Sequence, residues 1–187
     1  MSKRADIITA AVKLFVTQGL QSTPMCDLAK EASTGMGTIY NYFCSKDMLI
    51  NEVYLDIQKR KNDFVYKDFD PDAPVRMRFN HLYGKLLEYY INHPDHFRFV
   101  DFYSLCPVIT EETRKKVKDL HHYYGDMYSD GQQQGVIKSL DLKVLISFSV
   151  GGCYGIIRTM LFEGFTQIQT PLNLEQHLNI AWDAVKA

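Results

Sequence analysis

The sequence predicts an all-α protein, with a three-helix N-terminal helix-turn-helix domain, a C-terminal helical bundle and about nine helices in total. Apolar residues recur at intervals of three and four along most of the chain, whereas strict alternation of polar and apolar residues is almost absent. The periodic segments end at Gly or Pro, where a helix is interrupted in any case. With 187 residues, 46% of them hydrophobic, the chain can bury a sizeable core.

The first two helices are predicted over residues 2–18 and 24–31. Gly19 suits the residue that follows a helix, because glycine tolerates positive φ. Thr23 suits an N-cap and Pro24 the first helical position, where a missing N–H costs nothing. The apolar residues of the first helix share one face at helical spacing: Ile7, Ile8, Ala11, Leu14 and Phe15.

A tight turn over residues 32–35 is predicted to lead into a third helix over residues 36–43. Gly35 permits positive φ in that turn. Ser45 is expected to cap a fourth helix that continues towards Phe64. We place the domain boundary early in this helix, giving domains over residues 1–46 and 47–187.

The Asp- and Pro-rich stretch over residues 67–74 is the clearest loop of the chain. Beyond it, apolar periodicity and Gly or Pro breaks predict helices over residues 75–92, 95–105, 111–134, 141–165 and 173–186. These helices form the predicted C-terminal bundle.

Composition points to a soluble, cytoplasmic protein. The four cysteines are scattered and contain no C-x-x-C pair, which favours reduced thiols over a disulfide framework or a zinc site. The longest apolar stretch, residues 144–157, is shorter than the ~20 residues that a membrane-spanning helix needs, and the N-terminus has no export signal. We therefore expect no membrane association.

Two short helices joined by a tight turn form the layout of a helix-turn-helix, whose second helix enters the major groove of DNA. Spacing alone does not separate such a pair from two helices that only pack together. Net charge does not help either, because the chain as a whole carries a formal charge of −1.

The residue string over residues 28–49, LAKEASTGMGTIYNYFCSKDML, resembles the signature of the tetracycline-repressor (TetR) family. Gly19 and the Thr23-Pro24-Met25 sequence are similar to the family as well. The chain departs from the pattern at Ser33 to Gly35, where the family has Gly, an apolar residue and Ser, and at Met36, where a polar or basic residue is common. Beyond about residue 50 the similarity lies in the number and arrangement of the helices.

The resemblance implies double-stranded operator DNA as a partner, and residue chemistry suggests the contacts. Gly37 lets the backbone approach the duplex, hydroxyls of threonine and tyrosine can donate to phosphates, and an asparagine amide can pair with adenine. The expected DNA-binding residues are Thr23, Met36, Gly37, Thr38, Tyr40, Asn41, Tyr42 and Lys46. Lys3 and Arg4 would add a mobile basic arm. The alternative for Tyr40 and Tyr42 is that they only pack the small domain.

The resemblance also implies a small-molecule effector among the middle helices. An apolar wall with few polar groups is typical of such a pocket. The candidates are Tyr83, Phe102, Leu120, Tyr124, Cys153 and Tyr154. The alternative is that these aromatic residues are ordinary core.

A homodimer through the last two helices is a further implication of the resemblance. Leu174, Leu178, Ala181, Trp182 and Val185 form one stripe on the last helix. The alternative is that Trp182 is buried within its own protomer. A glycine inside a helix lowers helix stability by about 1 kcal/mol relative to Ala. The predicted helix over residues 141–165 contains three of them, Gly151, Gly152 and Gly155, which predicts that another helix or a ligand approaches closely there.

The combined hypothesis is a homodimeric, ligand-responsive DNA-binding regulator. The resemblance to the family implies a repressor that is released from a palindromic operator by a small apolar or aromatic effector. The rivals are an all-α enzyme and a helical ligand-binding or interaction module without specific DNA binding. We expect no catalytic residues, no cofactor and no metal, because neighbouring His121 and His122 point to different faces and Pro94 separates His93 from His96.

Overall fold

Ten helices and one isolated antiparallel bridge form the secondary structure of residues 2–162 and 174–187, which the computed structural model describes. The all-α class is confirmed, with one helix more than about nine. The helices are α1 Lys3–Gln18, α2 Met25–Glu31, α3 Met36–Tyr42, α4 Lys46–Tyr66, α5 Val75–Asn92, α6 Pro94–Tyr103, α7 Glu111–Leu120, α8 His122–Gln133, α9 Leu142–Phe162 and α10 Leu174–Val185.

The additional helix arises because the predicted helix over residues 111–134 is broken at His121. Its backbone, with φ −110° and ψ 19°, leaves the α region between α7 and α8. The imidazole there lies 2.7 Å from the buried Lys61 ammonium group, from Nε2 to Nζ. The prediction of one long helix was therefore wrong. Neither Gly nor Pro marks this break in the sequence, and the contact between His121 and Lys61 forms only in the folded chain.

Two predicted caps have different outcomes. Ser45 caps α4 as predicted, since its Oγ accepts a hydrogen bond of 3.0 Å from the Met48 N–H. Thr23 does not cap α2, because Pro24 is the N-cap residue and helical geometry begins at Met25. The predicted helix ends at residues 165 and 173 lie outside the described residues.

The first of two compact units contains α1 to α3, α4 as far as Arg60, and α6 and α7. The Phe15 and Phe99 rings pack 6.3 Å apart between α1 and α6. The Tyr103 hydroxyl donates to the Phe15 carbonyl at 2.8 Å, which ties α6 to α1. Helices α6 and α7 belong to this unit together with the N-terminal helices, although they follow the predicted domain boundary at residues 46 and 47 in the chain.

The second unit contains the rest of α4 together with α5, α8, α9 and α10. The Arg76 guanidinium joins α5 to α10, since it donates to the Leu178 carbonyl and lies 5.0 Å from the Trp182 ring centroid. The end of α10 is held by the bridge between Ile137 and Lys186.

Helix α9 is longer than the apolar stretch seen in the sequence. Over Leu142–Leu161 it is long and apolar enough, by length and composition alone, to cross a membrane. Core helices that pass the same test are mostly buried, whereas 28% of this window is buried, and one face of α9 packs within the second unit. That face consists of Leu145, Ser149, Cys153 and Ile157.

Candidate functional site

Helix α3 presents its polar and aromatic side to solvent. Ile39 and Phe43 are buried beneath it, whereas the Tyr40 side of the helix is open and Tyr40 itself is 48% exposed. Met36, Gly37, Asn41 and Tyr42 are exposed as well, and Thr38 is half-buried. Two buried anchors one turn apart therefore hold a short helix with its other faces free.

The turn before α3 is built differently from the prediction. Ser33 takes the left-handed conformation, with φ 48°, whereas Gly35 is extended, with φ −84°. A backbone hydrogen bond of 2.9 Å from the Thr34 N–H to the Ala29 carbonyl closes the turn. Gly35 is the N-cap residue of α3 and offers no side-chain cap.

Gly37 faces open space on this unit. A Cβ atom added there would meet nothing within 4 Å among the described residues. Packing within the chain therefore does not require a glycine at this position, which leaves close approach of another molecule as a reason for it. Lys46 follows, half-buried at the first residue of α4.

Thr23 is the clear exception among the predicted DNA contacts. Its side chain is fully buried, and its hydroxyl donates to the Gly19 carbonyl at 2.8 Å. The predicted phosphate contact by this hydroxyl is therefore wrong: the side chain connects α1 to the start of α2.

Two basic residues of the helix-turn-helix unit, Arg4 and Lys13, form ion pairs. Arg4 pairs with Glu52 and lies 5.7 Å from the Phe43 ring centroid. The prediction that Arg4 belongs to a mobile basic arm is therefore wrong. Lys13 pairs with Glu31 at 2.6 Å. Local sequence patterns do not predict these ion pairs, because the partners are distant along the chain.

The second unit contains an apolar cavity of about 220 Å³ between α5, α9 and α10. Of the six residues predicted for an effector pocket, only Cys153 lines it. The lining residues are Leu87, Phe148, Ser149, Gly152, Cys153, Ile156, His177, Leu178, Ile180, Ala181 and Ala184. Sequence periodicity missed this set because α9 and α10 come together only in the folded unit.

The other predicted pocket residues have separate positions. Tyr83 and Tyr124 are buried, with rings 5.3 Å apart, and Leu120 and Tyr154 are half-buried. Phe102 is 60% exposed on α6, in the first unit, so its prediction as a member of this pocket is wrong.

Buried hydroxyl groups lie beside the cavity. The Tyr128 hydroxyl is 3.1 Å from the Tyr83 hydroxyl and 2.7 Å from Ser149 Oγ. Burial raises the pKa of Tyr83 and Tyr128 above the ordinary phenol value, so both remain protonated near neutral pH. The Cys153 thiol has its pKa raised to about 12 by burial and likewise remains protonated.

The outward face of α9 is apolar and flat. Val144 is exposed and Phe148 is 63% exposed, one turn apart. Cβ atoms added at Gly151, Gly152 and Gly155 would meet nothing within 4 Å among the described residues. The close neighbour that these glycines predicted is therefore not part of the described chain.

Helix α10 turns part of the stripe that was predicted for a dimer towards its own unit, whereas Leu174, at the start of the helix, is exposed. Leu178 and Val185 are buried, and the Trp182 ring packs edge-on against Phe79 at 5.2 Å. Trp182 therefore packs within its own protomer, as in the alternative, but it is half-buried and not fully buried. Ile180, which lies outside that stripe, is the strongly exposed apolar residue of the helix.

Comparison with known proteins agrees with this architecture. Residues 7–53 match the family model described as bacterial regulatory proteins of the tetR family, and residues 54–187 match the model described as the tetracyclin repressor-like C-terminal domain. The HTH-type transcriptional regulator YhgD of Bacillus subtilis is 26% identical over 143 residues, 75% of each chain. An HTH-type transcriptional regulator of Haemophilus influenzae is 23% identical over 182 residues, 97% of this chain and 94% of that protein.

Solved structures show the same fold. A TetR family transcription regulator from Marinobacter aquaeolei VT8 superposes with a TM-score of 0.88 at 22% identity, covering 98% of this chain and 95% of that one. Because both halves of the sequence match the two family models, and the exposed α3 stands where a recognition helix is needed, the chain belongs to the TetR family of helix-turn-helix transcriptional regulators.

Proposed function

We propose that the protein is a homodimeric repressor that binds a palindromic operator through α3 and is released by a small-molecule effector. The observation that carries the proposal is the orientation of α3, with Ile39 and Phe43 buried and Tyr40 open to solvent. The protein acts in the cytoplasm, by binding and not by catalysis.

The DNA contacts that we propose follow from exposure and chemistry. Tyr40, Tyr42 and Thr38 donate hydroxyl hydrogen bonds to phosphate oxygens, and Asn41 reads a base edge through its amide. Gly37 and Met36 lie at the start of α3, where the backbone approaches the duplex. Lys46 joins the free N–H groups at the start of α4 as a phosphate contact.

Operator binding is tested by selecting genomic fragments on the purified protein and titrating the selected fragment with two double variants. We expect Tyr40→Ala with Lys46→Ala to abolish binding and to leave the fold unchanged. Met77→Ala with Lys118→Ala, which removes an exposed apolar residue and an exposed lysine elsewhere, is the matched control. Equal binding by both double variants would leave the protein as a helical module without specific DNA binding.

The dimer that we propose uses the outward faces of α9 and α10. Phe148 and Ile180 expose apolar surface there, and the three glycines allow another helix to approach. If two copies of α9 cross antiparallel at Gly151 and Gly152, Phe148 lies opposite Gly155 of the partner subunit, because both are equally far from the crossing point.

Sedimentation tests the dimer. Phe148→Glu should give monomers, because it buries a charge in the proposed interface. Phe102→Glu is the control, since Phe102 has a similar exposed fraction but lies in the first unit. Dimers of Phe148→Glu at the wild-type dissociation constant would show that this face is not the interface.

A further inference from the structure

Helix α3 is a short helix whose two ends are held by different neighbours. It has seven residues, and its N-cap residue Gly35 offers no side-chain cap. The turn before it joins its start to α2, through the backbone hydrogen bond from the Thr34 N–H to the Ala29 carbonyl. Because a helix of this length is marginal in isolation, contacts outside α3 must fix its direction.

The contact at the other end of α3 is made by Phe43. This residue ends the helix, where its N–H donates to the Ile39 carbonyl at 2.8 Å, and its ring is buried. Arg4 of α1 lies over the ring, and the same guanidinium donates to the Glu52 carboxylate of α4. Arg4 therefore connects the end of α3 to both α1 and α4.

The ion pair of Arg4 supplies orientation more than stability. The Arg4 and Glu52 side chains are 42% and 32% exposed, so solvent screens the pair and it adds little to the free energy of unfolding. The carboxylate also offsets the charge of the guanidinium, which weakens its attraction to a phosphate. What the two contacts restrict is the direction in which the end of α3 points.

We propose that Arg4 is a positioning residue for operator binding: through Phe43 and Glu52 it holds the end of α3 in the direction that the major groove requires, without touching DNA. The inference rests on the operator binding proposed above. If the wild-type protein binds no operator, the proposed function fails; if it does bind one, the variants of Arg4 and Glu52 decide the inference separately.

The quantity to measure is the ratio of operator affinity to the affinity for a non-operator duplex of equal length. Fluorescence anisotropy gives both affinities, with the selected genomic fragment as the operator. A lost phosphate contact weakens both affinities alike, because phosphates carry no sequence information. A smaller fraction of folded protein also lowers both alike. Only a misdirected recognition helix lowers the ratio.

We expect Arg4→Met, which keeps an unbranched side chain, to lower this ratio about three- to thirtyfold, the combined range of an exposed ion pair and a cation–π contact. Glu52→Gln removes the ion pair alone and should lower it about two- to fivefold. The slope of log affinity against log salt concentration should stay that of the wild type in Arg4→Met, whereas loss of a phosphate contact reduces it by about 0.9.

Glu31→Gln is the matched control. Glu31 has a similar exposed fraction, 34%, and its ion pair with Lys13 joins α1 to α2 instead of α3, so the ratio should be unchanged. Three results would each overturn the proposal: wild-type ratios in both Arg4→Met and Glu52→Gln, a salt slope lowered by about one in Arg4→Met, or an equal fall of the ratio in Glu31→Gln and Glu52→Gln.

Discussion

Lys61 Nζ lies 2.7 Å from His121 Nε2, at the break between α7 and α8. Burial lowers the pKa of Lys61 to about 7. Burial, and next the charge of Lys61, lower the pKa of His121 to about 2. The imidazole is therefore neutral near pH 7 and can accept a hydrogen bond from the lysine.

The first prediction concerns how folding stability depends on pH at this pair. The unfolded chain binds more protons than the folded one between about pH 7 and 10.5 at Lys61, and between about pH 2 and 6.5 at His121. The contribution of this pair to the free energy of unfolding should therefore rise with pH across each window. Lys61→Met should remove the rise above pH 7, a change of ~1–4 kcal/mol by pH 10 in urea unfolding.

Lys59→Met, an exposed lysine on the same helix, is the control for that experiment and should keep the wild-type slope. An unchanged slope in Lys61→Met would contradict the assignment of a lowered pKa to Lys61.

The second prediction concerns Gly131 on α8. A Cβ atom there would lie 2.5 Å from Ile137 Cδ1 and 3.0 Å from Val75 Cγ1. Gly131→Ala should lower the free energy of unfolding by ~1–3 kcal/mol, because the side chains must shift in a packed core. Gly125→Ala on the same helix meets nothing within 4 Å and should raise stability by ~0.5–1 kcal/mol. Similar effects of the two substitutions in chemical denaturation would show that packing at Gly131 is looser than the geometry indicates.

The third prediction concerns the turn before the recognition helix. Ser33 has φ 48°, a region that costs an L-residue roughly 1–2 kcal/mol. Ser33→Gly should raise the free energy of unfolding by ~0.5 kcal/mol, since the relief of strain exceeds the extra entropy of glycine in the unfolded chain. Ser33→Val should lower it, because a β-branched residue fits this conformation badly. Thermal unfolding of the three proteins gives the order, and a valine variant as stable as wild type would refute the assignment.

The fourth prediction concerns the attachment of α10. Trp182 packs on Phe79 and beneath the Arg76 guanidinium, so Trp182→Ala should cost ~2–4 kcal/mol of folding stability. Asp183→Ala, at an exposed ion pair with Lys186, should leave the unfolding midpoint close to that of the wild type, because solvent screens such a pair. Both are measured at one protein concentration, and equal unfolding midpoints would argue against this packing.

Local sequence patterns predicted the helices and caps that depend on residues close together in the chain. The recognition helix could be placed from the spacing of Ile39 and Phe43, and the start of α4 from Ser45, because a helix face and a cap depend on residues a few positions apart. The family could be identified from one contiguous string, since the helix-turn-helix is a local motif.

Features with distant partners could not be predicted in the same way. The burial of Thr23, the ion pair of Arg4 and the break at His121 each depend on a residue brought close by folding. The same limit applies to the cavity, because periodicity places aromatic residues on helix faces without saying which faces meet.

The sequence by itself determined that the chain is helical, where most helices begin and end, and which short helix carries the TetR signature, since hydrogen bonds and spacing within one segment decide these properties. Tertiary structure decided which side of each helix is buried against which neighbour. It therefore decided that Ser149, and not Phe102, lines the apolar cavity. The physical reason is that burial is a property of two surfaces in contact, and a single segment contains only one of them.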